Sequence, residues 1–210
     1  MNVVRVSTLE AFRRWRNDEE AADVDIFNVP ETEAMQVGTA LHKALELSDA
    51  GTFDTLDSDG YTFRFDCDIE IPVMQFKEFR SNKRYGDLMV SGQCDGIIGR
   101  TVCDYKTTGI FNAERYLDGY QWRFYLDIFG LDVFRWLVFV IAQDRNDSFL
   151  YTVKDFHSLE AQRYPALHAD CHALANDFVE FWNVTREAQK TRGEKLGTKN
   201  EADIRKNDAP

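Results

Sequence analysis

The sequence lacks the features of a membrane-spanning or secreted chain. Its longest apolar run, residues 136–142, is far too short to cross a bilayer. Residues 1–16 contain arginines and a glutamate where a signal peptide has its apolar core. We therefore expect a cytoplasmic protein with no membrane partner.

Cysteine is scarce. The four cysteines form no CxxC pair and show no zinc-type spacing. We interpret them as reduced thiols that pack as small apolar groups, because disulfides are rare in the cytosol. A glycine-rich phosphate loop of the Walker A type is also missing, so any motor would be a separate protein.

Positive charge is in deficit as well. The chain has 25 basic and 36 acidic residues, a net charge of −11. Such a balance argues against indiscriminate binding to nucleic acid, because basic charge supplies that affinity. It leaves room for a local basic groove, and the stretch KEFRSNKR (residues 77–84) is the best candidate. We expect this stretch to be a loop between two strands.

The length of 210 residues is enough for one domain with a sizeable core. We expect residues 1–186 to form this domain, with a helix near each end. Residues 187–210 are charged and without period, which predicts a disordered tail.

Periodicity predicts the elements of the first half. Ser7 and Glu10 have the spacing of a capping box at the start of a helix. Residues 33–47 repeat with a helical period, and residues 61–73 alternate like a strand. A hairpin follows, with strands at residues 88–98 and 101–106.

The second half adds a helix over residues 113–130, ended by Gly130. A buried strand at 133–141, a short strand at 149–153 and an amphipathic helix at 159–186 complete the pattern. This order predicts an α/β or α+β fold, in which helices flank a central mixed β-sheet.

Three charged residues interrupt the apolar hairpin VSGQCDGIIGRTVCDYKTTG. Asp104 and Lys106 point to one face, because side chains alternate along a strand. If Asp95 shares that face, Cys94 and Cys103 share the opposite one. Two nearby carboxylates repel each other unless a cation lies between them, and oxygen ligands suit Mg²⁺ or Mn²⁺.

Such an ion can polarise a phosphoryl oxygen and lower the pKa of a bound water. Lys106 could orient or deprotonate that water, or neutralise charge on the phosphate. The alternative is that Asp104 and Lys106 form an ordinary ion pair on the surface, at the end of a strand.

Four blocks in order carry a family resemblance. They are GTALH, ending at His42; GQCD, ending at Asp95; DYK, residues 104–106; and QWRFY, with Gln121 and Tyr125. Together they resemble the PD-(D/E)XK nuclease superfamily, and within it the RecB-like exonuclease branch. The resemblance covers the central half of the chain and implies a restriction-endonuclease-like core of order αβββαβ.

The resemblance also implies a site. His42, Asp95 and Asp104 would ligate the divalent metal together with the main-chain carbonyl of Tyr105. Lys106 would be the catalytic lysine, acting with both aspartates. An imidazole among oxygen ligands tilts the preference toward Mn²⁺ and leaves Mg²⁺ usable.

Other residues would support this site. Gln121 and Tyr125 lie one helical turn apart and would contact DNA or hold the ligands. Glu46 and Glu70 are candidates for the layer around the ligands, or else solvated surface residues. Four basic residues would contact the phosphates of the DNA backbone, namely Lys77, Arg80, Lys83 and Arg84.

The implied activity is a metal-dependent deoxyribonuclease that hydrolyses phosphodiester bonds. The small size resembles phage-type exonucleases that act on DNA ends in recombination, repair or phage DNA metabolism, in a bacterial or phage-infected cell. The cysteine pattern departs from branch members with an iron–sulfur cluster, so we expect no cluster. Expected partners are DNA, a recombination or single-strand-annealing protein and other copies of the chain.

Two other interpretations stay open. The chain could be a non-catalytic acidic protein that mimics DNA or binds a partner on the same fold. It could also be a nuclease subunit that is active only within a larger complex.

Overall fold

The computed structural model describes residues 3–17, 30–48 and 51–192. Its centre is an eight-stranded sheet. The strands are β1 (Val3–Arg5), β2 (Thr55–Ser58), β3 (Tyr61–Phe65), β4 (Phe76–Tyr85), β5 (Leu88–Ile98), β6 (Thr101–Thr108), β7 (Val133–Gln143) and β8 (Leu150–Gln162). The helices are α1 (Val6–Asn17), α2 (Glu33–Leu47), α3 (Ala113–Asp118), α4 (Gln121–Phe129) and α5 (Leu167–Arg192).

The sheet is mixed. Its strand order is β1-β5-β6-β7-β8-β3-β2, and β4 pairs with β5 beside this path. β1 is parallel to β5, β6 to β7 and β3 to β8, while the other pairs are antiparallel.

Alternating side chains divide the core into two layers. Val102, Phe134 and Trp136 belong to a cluster with residues of α1, α4 and α5. Cys103 and Leu137, their neighbours in sequence, belong to a second cluster with α2. Helices therefore pack on both faces of the mixed sheet, as the element order predicts.

Several local predictions are confirmed. α2 has the predicted bounds, and the Thr32 side chain caps it by accepting a hydrogen bond from the Met35 N–H. The β5–β6 hairpin turns at Gly99, whose φ of 56° suits glycine. Gly130, with φ 67°, ends α4 in the left-handed conformation.

The predicted capping box is wrong. β1 runs directly into α1, which begins at Val6, so Ser7 lies within the helix. Glu10 is buried and accepts hydrogen bonds from Arg13 and from the main-chain N–H of Tyr120 at 2.7 Å. This carboxylate therefore joins α1 to the start of α4.

The predicted basic loop over residues 77–84 is wrong too. These residues form most of β4, which pairs with β5 along its length. Among the described residues, β4 pairs with no strand besides β5. Charged side chains on such an edge hide the apolar alternation that marks a strand. The strand predicted over residues 61–73 ends earlier, at Phe65.

Three further boundaries differ. The helix predicted over residues 113–130 is two helices, because α3 ends at the cap residue Gly119. β8 extends to Gln162, so the last helix begins at Leu167 and not at residue 159. α5 continues to Arg192, through the first residues of the predicted tail, and residues 193–210 lie outside the described part.

Among the described residues, no helix combines the length and apolarity that a bilayer span requires.

Candidate active site

The candidate site lies where β5 and β6 separate. Their ladder ends at the pair Gly96–Cys103, and further along β5 pairs with β1. Asp95 and Asp104 occupy the next position on each strand. There a side chain replaces the main-chain hydrogen bond between the strands: Asp95 Oδ2 accepts a hydrogen bond from the main-chain N–H of Tyr105 at 2.5 Å.

The alternation of β5 breaks at the same level. Cys94 and Ile97 are three residues apart, yet both belong to the cluster on the α4 face. Opposite Asp95, between the pairs Lys77–Gly96 and Phe79–Cys94, lies Glu78 of β4. Its φ of 51° is left-handed, although the register of β4 and β5 is the same on both sides of it.

This irregularity corrects one prediction. Cys94 and Cys103 do not share a face, because they pack in clusters on opposite sides of the sheet. After Asp95, the residues of β5 that point to a given face change from even-numbered to odd-numbered positions, so strict alternation assigns the wrong face.

Helix α2 brings His42 to this gap. The buried side chains of Ala40 and Leu41 hold the helix on the sheet. His42 Nδ1 lies 3.7 Å from Asp95 Oδ2, and its ring lies edge-on to Tyr105 with centroids 5.9 Å apart.

Asp104 and Lys106 lie on one side of β6, as alternation predicts, and form an ion pair at 2.5 Å. Asp104 is only 3% exposed, so the alternative of an ordinary surface ion pair is wrong. The ion pair uses Oδ2 of Asp104, and this buried oxygen has no other polar partner among the described residues. Such an oxygen retains lone pairs for a further ligand.

Burial controls the protonation of His42 and Asp95. It lowers the pKa of His42 to about 4, and the Lys106 charge acts in the same direction. It raises the pKa of Asp95 to about 6, against the effects of Lys106 and of the Tyr105 N–H. At pH 7 the imidazole is therefore neutral and the carboxylate is ionised.

Lys106 and Asp104 influence each other strongly. Burial acts to lower the pKa of Lys106, but the carboxylates of Asp104 and Asp95 outweigh it and raise that pKa. Burial raises the pKa of Asp104, and the Lys106 charge opposes this only in part. Lys106 is therefore an ammonium group at neutral pH.

Gln121 and Tyr125 meet beside the gap, as the predicted helical spacing requires. Gln121 Nε2 donates a hydrogen bond to Tyr125 Oη at 3.3 Å. The Tyr125 ring packs on Gly92, where a Cβ would lie 3.0 Å from it. A cavity of about 200 Å³ is lined by Lys106 and Gln121, and one of about 260 Å³ by Asp95 and Tyr125.

Glu46 and Glu70, the two candidates for the layer around the ligands, differ in their distance from the site. Glu46 of α2 is near enough for its charge to raise the pKa of Asp95. Glu70 is exposed on the irregular segment that follows β3.

The basic residues of β4 have partners within the protein. Lys77 Nζ donates to the Glu46 and Ser48 carbonyls at the end of α2, at 2.7 and 3.0 Å. Arg80 donates to Gln93 Oε1, at 2.5 Å from Nη2. Lys83 forms a 3.0 Å ion pair with Asp127, and Arg84 lies beside it on the strand.

Sequence analysis missed Glu78 and Gln93. Both line the larger cavity with Asp95, and Gln93 donates a hydrogen bond from Nε2 to Glu78. Gln93 belongs to the GQCD block and had a signal. Glu78 had none, because only the β4–β5 register places it opposite Asp95.

The donor types fit a hard divalent ion: a neutral imidazole and two carboxylates. Their present spacing is looser than a coordination shell. Within residues 3–17, 30–48 and 51–192, no three His, Cys, Asp or Glu side chains are grouped closely enough to hold a metal. Asp104 is engaged by Lys106 instead.

No protein-family model and no curated protein matches the chain. A solved structure titled SSO0001 is similar, with 18% identity over 86% of this chain and 76% of that one, at a TM-score of 0.50. Structures of LHK-Exo, an alkaline exonuclease from Laribacter hongkongensis, also match. The complex with dAMP has 13% identity and a TM-score of 0.45. A second structure has 11% and 0.46, and each match covers 90% of this chain and 92% of that one. At these identities the likeness concerns the fold.

Proposed function

We propose that the chain is a metal-dependent deoxyribonuclease that hydrolyses phosphodiester bonds, as an exonuclease at DNA ends. The observation that carries the proposal is the buried Asp104–Lys106 ion pair at the separation of β5 and β6, with Asp95 and His42 beside it. Burying charged groups opposes folding unless they are well compensated, and such groups are concentrated at functional sites.

Lys106 supplies positive charge to the reaction. Its ammonium lines the smaller cavity together with Arg14 and Arg115. The carboxylate of Glu10 also lines this cavity and pairs with Arg14, so three cations face one anion there. This excess of positive charge attracts a phosphate group and stabilises the charge that develops on it in the transition state. In the metal-free protein the carboxylates of Asp104 and Asp95 keep Lys106 protonated, and in this form it can donate a hydrogen bond to the phosphate.

His42, Asp95 and Asp104, with the Tyr105 carbonyl, are the proposed holders of Mg²⁺ or Mn²⁺. When bound, the ion supplies a Lewis acid for the phosphoryl oxygen and a more acidic water. His42 can donate a lone pair above pH 4 without first losing a proton. Asp95 keeps its place through the Tyr105 N–H, and Asp104 would offer Oδ2, the oxygen that Lys106 engages in this structure.

The RecB-like assignment rests on the four sequence blocks. The structure adds that Gln121 and Tyr125 touch each other and each line one of the two cavities. We assign them the role of supporting the substrate or the ligands. The setting we propose is DNA recombination, repair or phage DNA metabolism.

End-labelled linear DNA and covalently closed circular DNA test this function. With Mg²⁺ or Mn²⁺ we expect loss of the label from linear DNA, intact circles and no reaction in EDTA. Degraded circles would contradict an action on ends. No hydrolysis of either substrate in either metal would contradict the activity of the isolated chain.

One observation favours a second candidate. The absence of a three-donor group among the described residues, with the net charge of −11, suits a non-catalytic acidic protein that binds a partner in place of DNA. Titration calorimetry with Mn²⁺ separates the two, because only the nuclease requires metal binding.

A further inference from the structure

Two phenylalanines on β4 are unusually exposed. Phe76 is 57% and Phe79 is 43% exposed. Their rings are neighbours, with centroids 5.9 Å apart and planes inclined by 48°. Contiguous exposed apolar groups mark surfaces that bind something.

The rings are side by side because of Glu78. Residues three apart on a regular strand face opposite ways. Here the left-handed Glu78 lies between them, and their pairing partners Ile97 and Cys94 both belong to the cluster on the α4 face. The irregularity that positions Asp95 thus also brings both rings onto one face. A left-handed conformation disfavours folding at a non-glycine residue, so it needs a compensating reason.

The pair continues toward the candidate site. The ring of Phe79 lies 5.7 Å from that of Phe129, and Phe129 lies 5.9 Å from Tyr125. Tyr125 lines the cavity of Asp95. Four aromatic rings therefore form a continuous row from the exposed edge strand to the candidate site.

The charge around the row selects the kind of ligand. Lys77, Glu78 and Arg80 adjoin the two rings, so two cations and one carboxylate surround them in a protein whose net charge is −11. Further along β4, Lys83 is paired with Asp127. Arg80, next to Phe79, reaches Gln93 in the cavity of Asp95. Aromatic rings beside basic side chains match the bases and phosphates of a nucleic acid strand. An apolar protein partner would match the rings but not the charge.

We propose that Phe76 and Phe79 form a stacking surface for the bases of single-stranded DNA, whose phosphate chain leads on to the cavity of Asp95. Bases of an intact duplex already stack on one another, so the surface receives an unpaired end. This rests on the proposed function for its substrate class, and it deepens that function by naming the strand state.

Binding without cleavage tests the surface independently of hydrolysis. In EDTA, fluorescence anisotropy measures the Kd for a fluorescein-labelled oligo-dT and for an abasic strand of equal length. The Phe76→Leu/Phe79→Leu double variant should bind oligo-dT about tenfold or more weakly, since stacking on one ring is worth about five- to 150-fold in Kd. Its affinity for the abasic strand should not change.

Phe149→Leu is the matched control, since Phe149 is 58% exposed and contacts Tyr61 on β3. It should leave both affinities unchanged. The Kd of Phe76→Leu alone for oligo-dT measures the share of the more exposed ring. Thermal unfolding checks that the variants fold.

Three results would overturn the proposal. The double variant could lose affinity equally for oligo-dT and the abasic strand, it could lose none for oligo-dT, or the wild type could fail to bind oligo-dT. Sedimentation that shows a wild-type dimer and a monomeric double variant with the same affinity for oligo-dT would also overturn it, because the rings would then bind a second copy. Base-dependent binding without hydrolysis would leave the surface standing and refute the proposed function. Hydrolysis without base-dependent binding would do the reverse.

Discussion

Glu78 on β4 lies directly opposite Asp95 on β5, and both strands lose their regular alternation at this level. On the other side of Asp95, the β5–β6 ladder ends, and Asp104 occupies the next position of β6. Three acidic residues thus lie at one level across three strands. The mutual repulsion of such charges is relieved here by Lys106 and by the Tyr105 N–H.

The left-handed backbone of Glu78 can be tested by a matched pair of substitutions. Glycine adopts φ 51° without a steric penalty, whereas a β-branched residue does not. We expect Glu78→Val to have a free energy of unfolding about 1–2 kcal/mol below that of Glu78→Gly. Urea denaturation of both variants measures the difference, and equal stabilities would show that the conformation is not strained.

Gly92 should be required for the packing of Tyr125. A side chain there would push against the Tyr125 ring, which lies 3.0 Å from the Cβ position. We expect Gly92→Val to lower the free energy of unfolding by about 1–3 kcal/mol. Gly109→Val is the control, because the Cβ position of Gly109 is open. Equal losses in both variants would contradict the close contact.

Asp127 predicts an acid-sensitive part of the stability. Its buried carboxylate binds Tyr85 Oη and His168 Nδ1, each at 2.8 Å, and pairs with Lys83 and Arg163. Burial acts to raise the pKa of Asp127, but the hydrogen bonds from His168, Tyr85 and Lys83 hold it below its ordinary value of 3.8. A lowered pKa stabilises the fold above pH 3.8, and this contribution is lost as the pH falls through the lowered value.

Asp127→Ala tests this network at two pH values. At pH 7 we expect the free energy of unfolding to fall by about 3–5 kcal/mol, because the surrounding cations lose their buried partner. The loss should be smaller near pH 3, where the wild type has itself lost part of the contribution. Asp68→Ala, at an exposed position, is the control. An equal loss at both pH values would contradict the assignment.

The elements that depend on local pattern could be predicted from the sequence. The helical period of α2 and the β5–β6 hairpin are encoded by neighbouring residues, and both are confirmed. β4 could not be predicted, because its own lysines and arginines interrupt the apolar alternation that marks a strand. Its strand character depends on pairing with β5, which no local pattern reports.

The candidate site divides in the same way. The shared side of Asp104 and Lys106 followed from alternation along one strand, and the contact of Gln121 with Tyr125 from helical spacing. The place of Glu78 depends on the register between two strands and on a left-handed residue. A non-glycine residue in that conformation leaves no mark in the sequence.

Metal binding gives a direct test of His42. Loss of an outer-shell partner of a metal site weakens binding about 10–100-fold, so His42→Ala should raise the Kd for Mn²⁺ by at least about tenfold. Titration calorimetry measures this, with His172→Ala as the control, because His172 bonds to Asn176 of α5. Unchanged Mn²⁺ affinity in His42→Ala would remove His42 from the ligand set.

The central claim is that Lys106, beside Asp104, belongs to a site that hydrolyses DNA. Its most direct test is the initial rate of linear DNA degradation with Mn²⁺ for Lys106→Ala and for Lys43→Ala, whose lysine is exposed and paired with Asp59. We predict that the rate falls about 10²–10³-fold in Lys106→Ala, as on loss of a charge-stabilising donor, and stays at the wild-type level in Lys43→Ala. Undiminished degradation by Lys106→Ala would contradict the account.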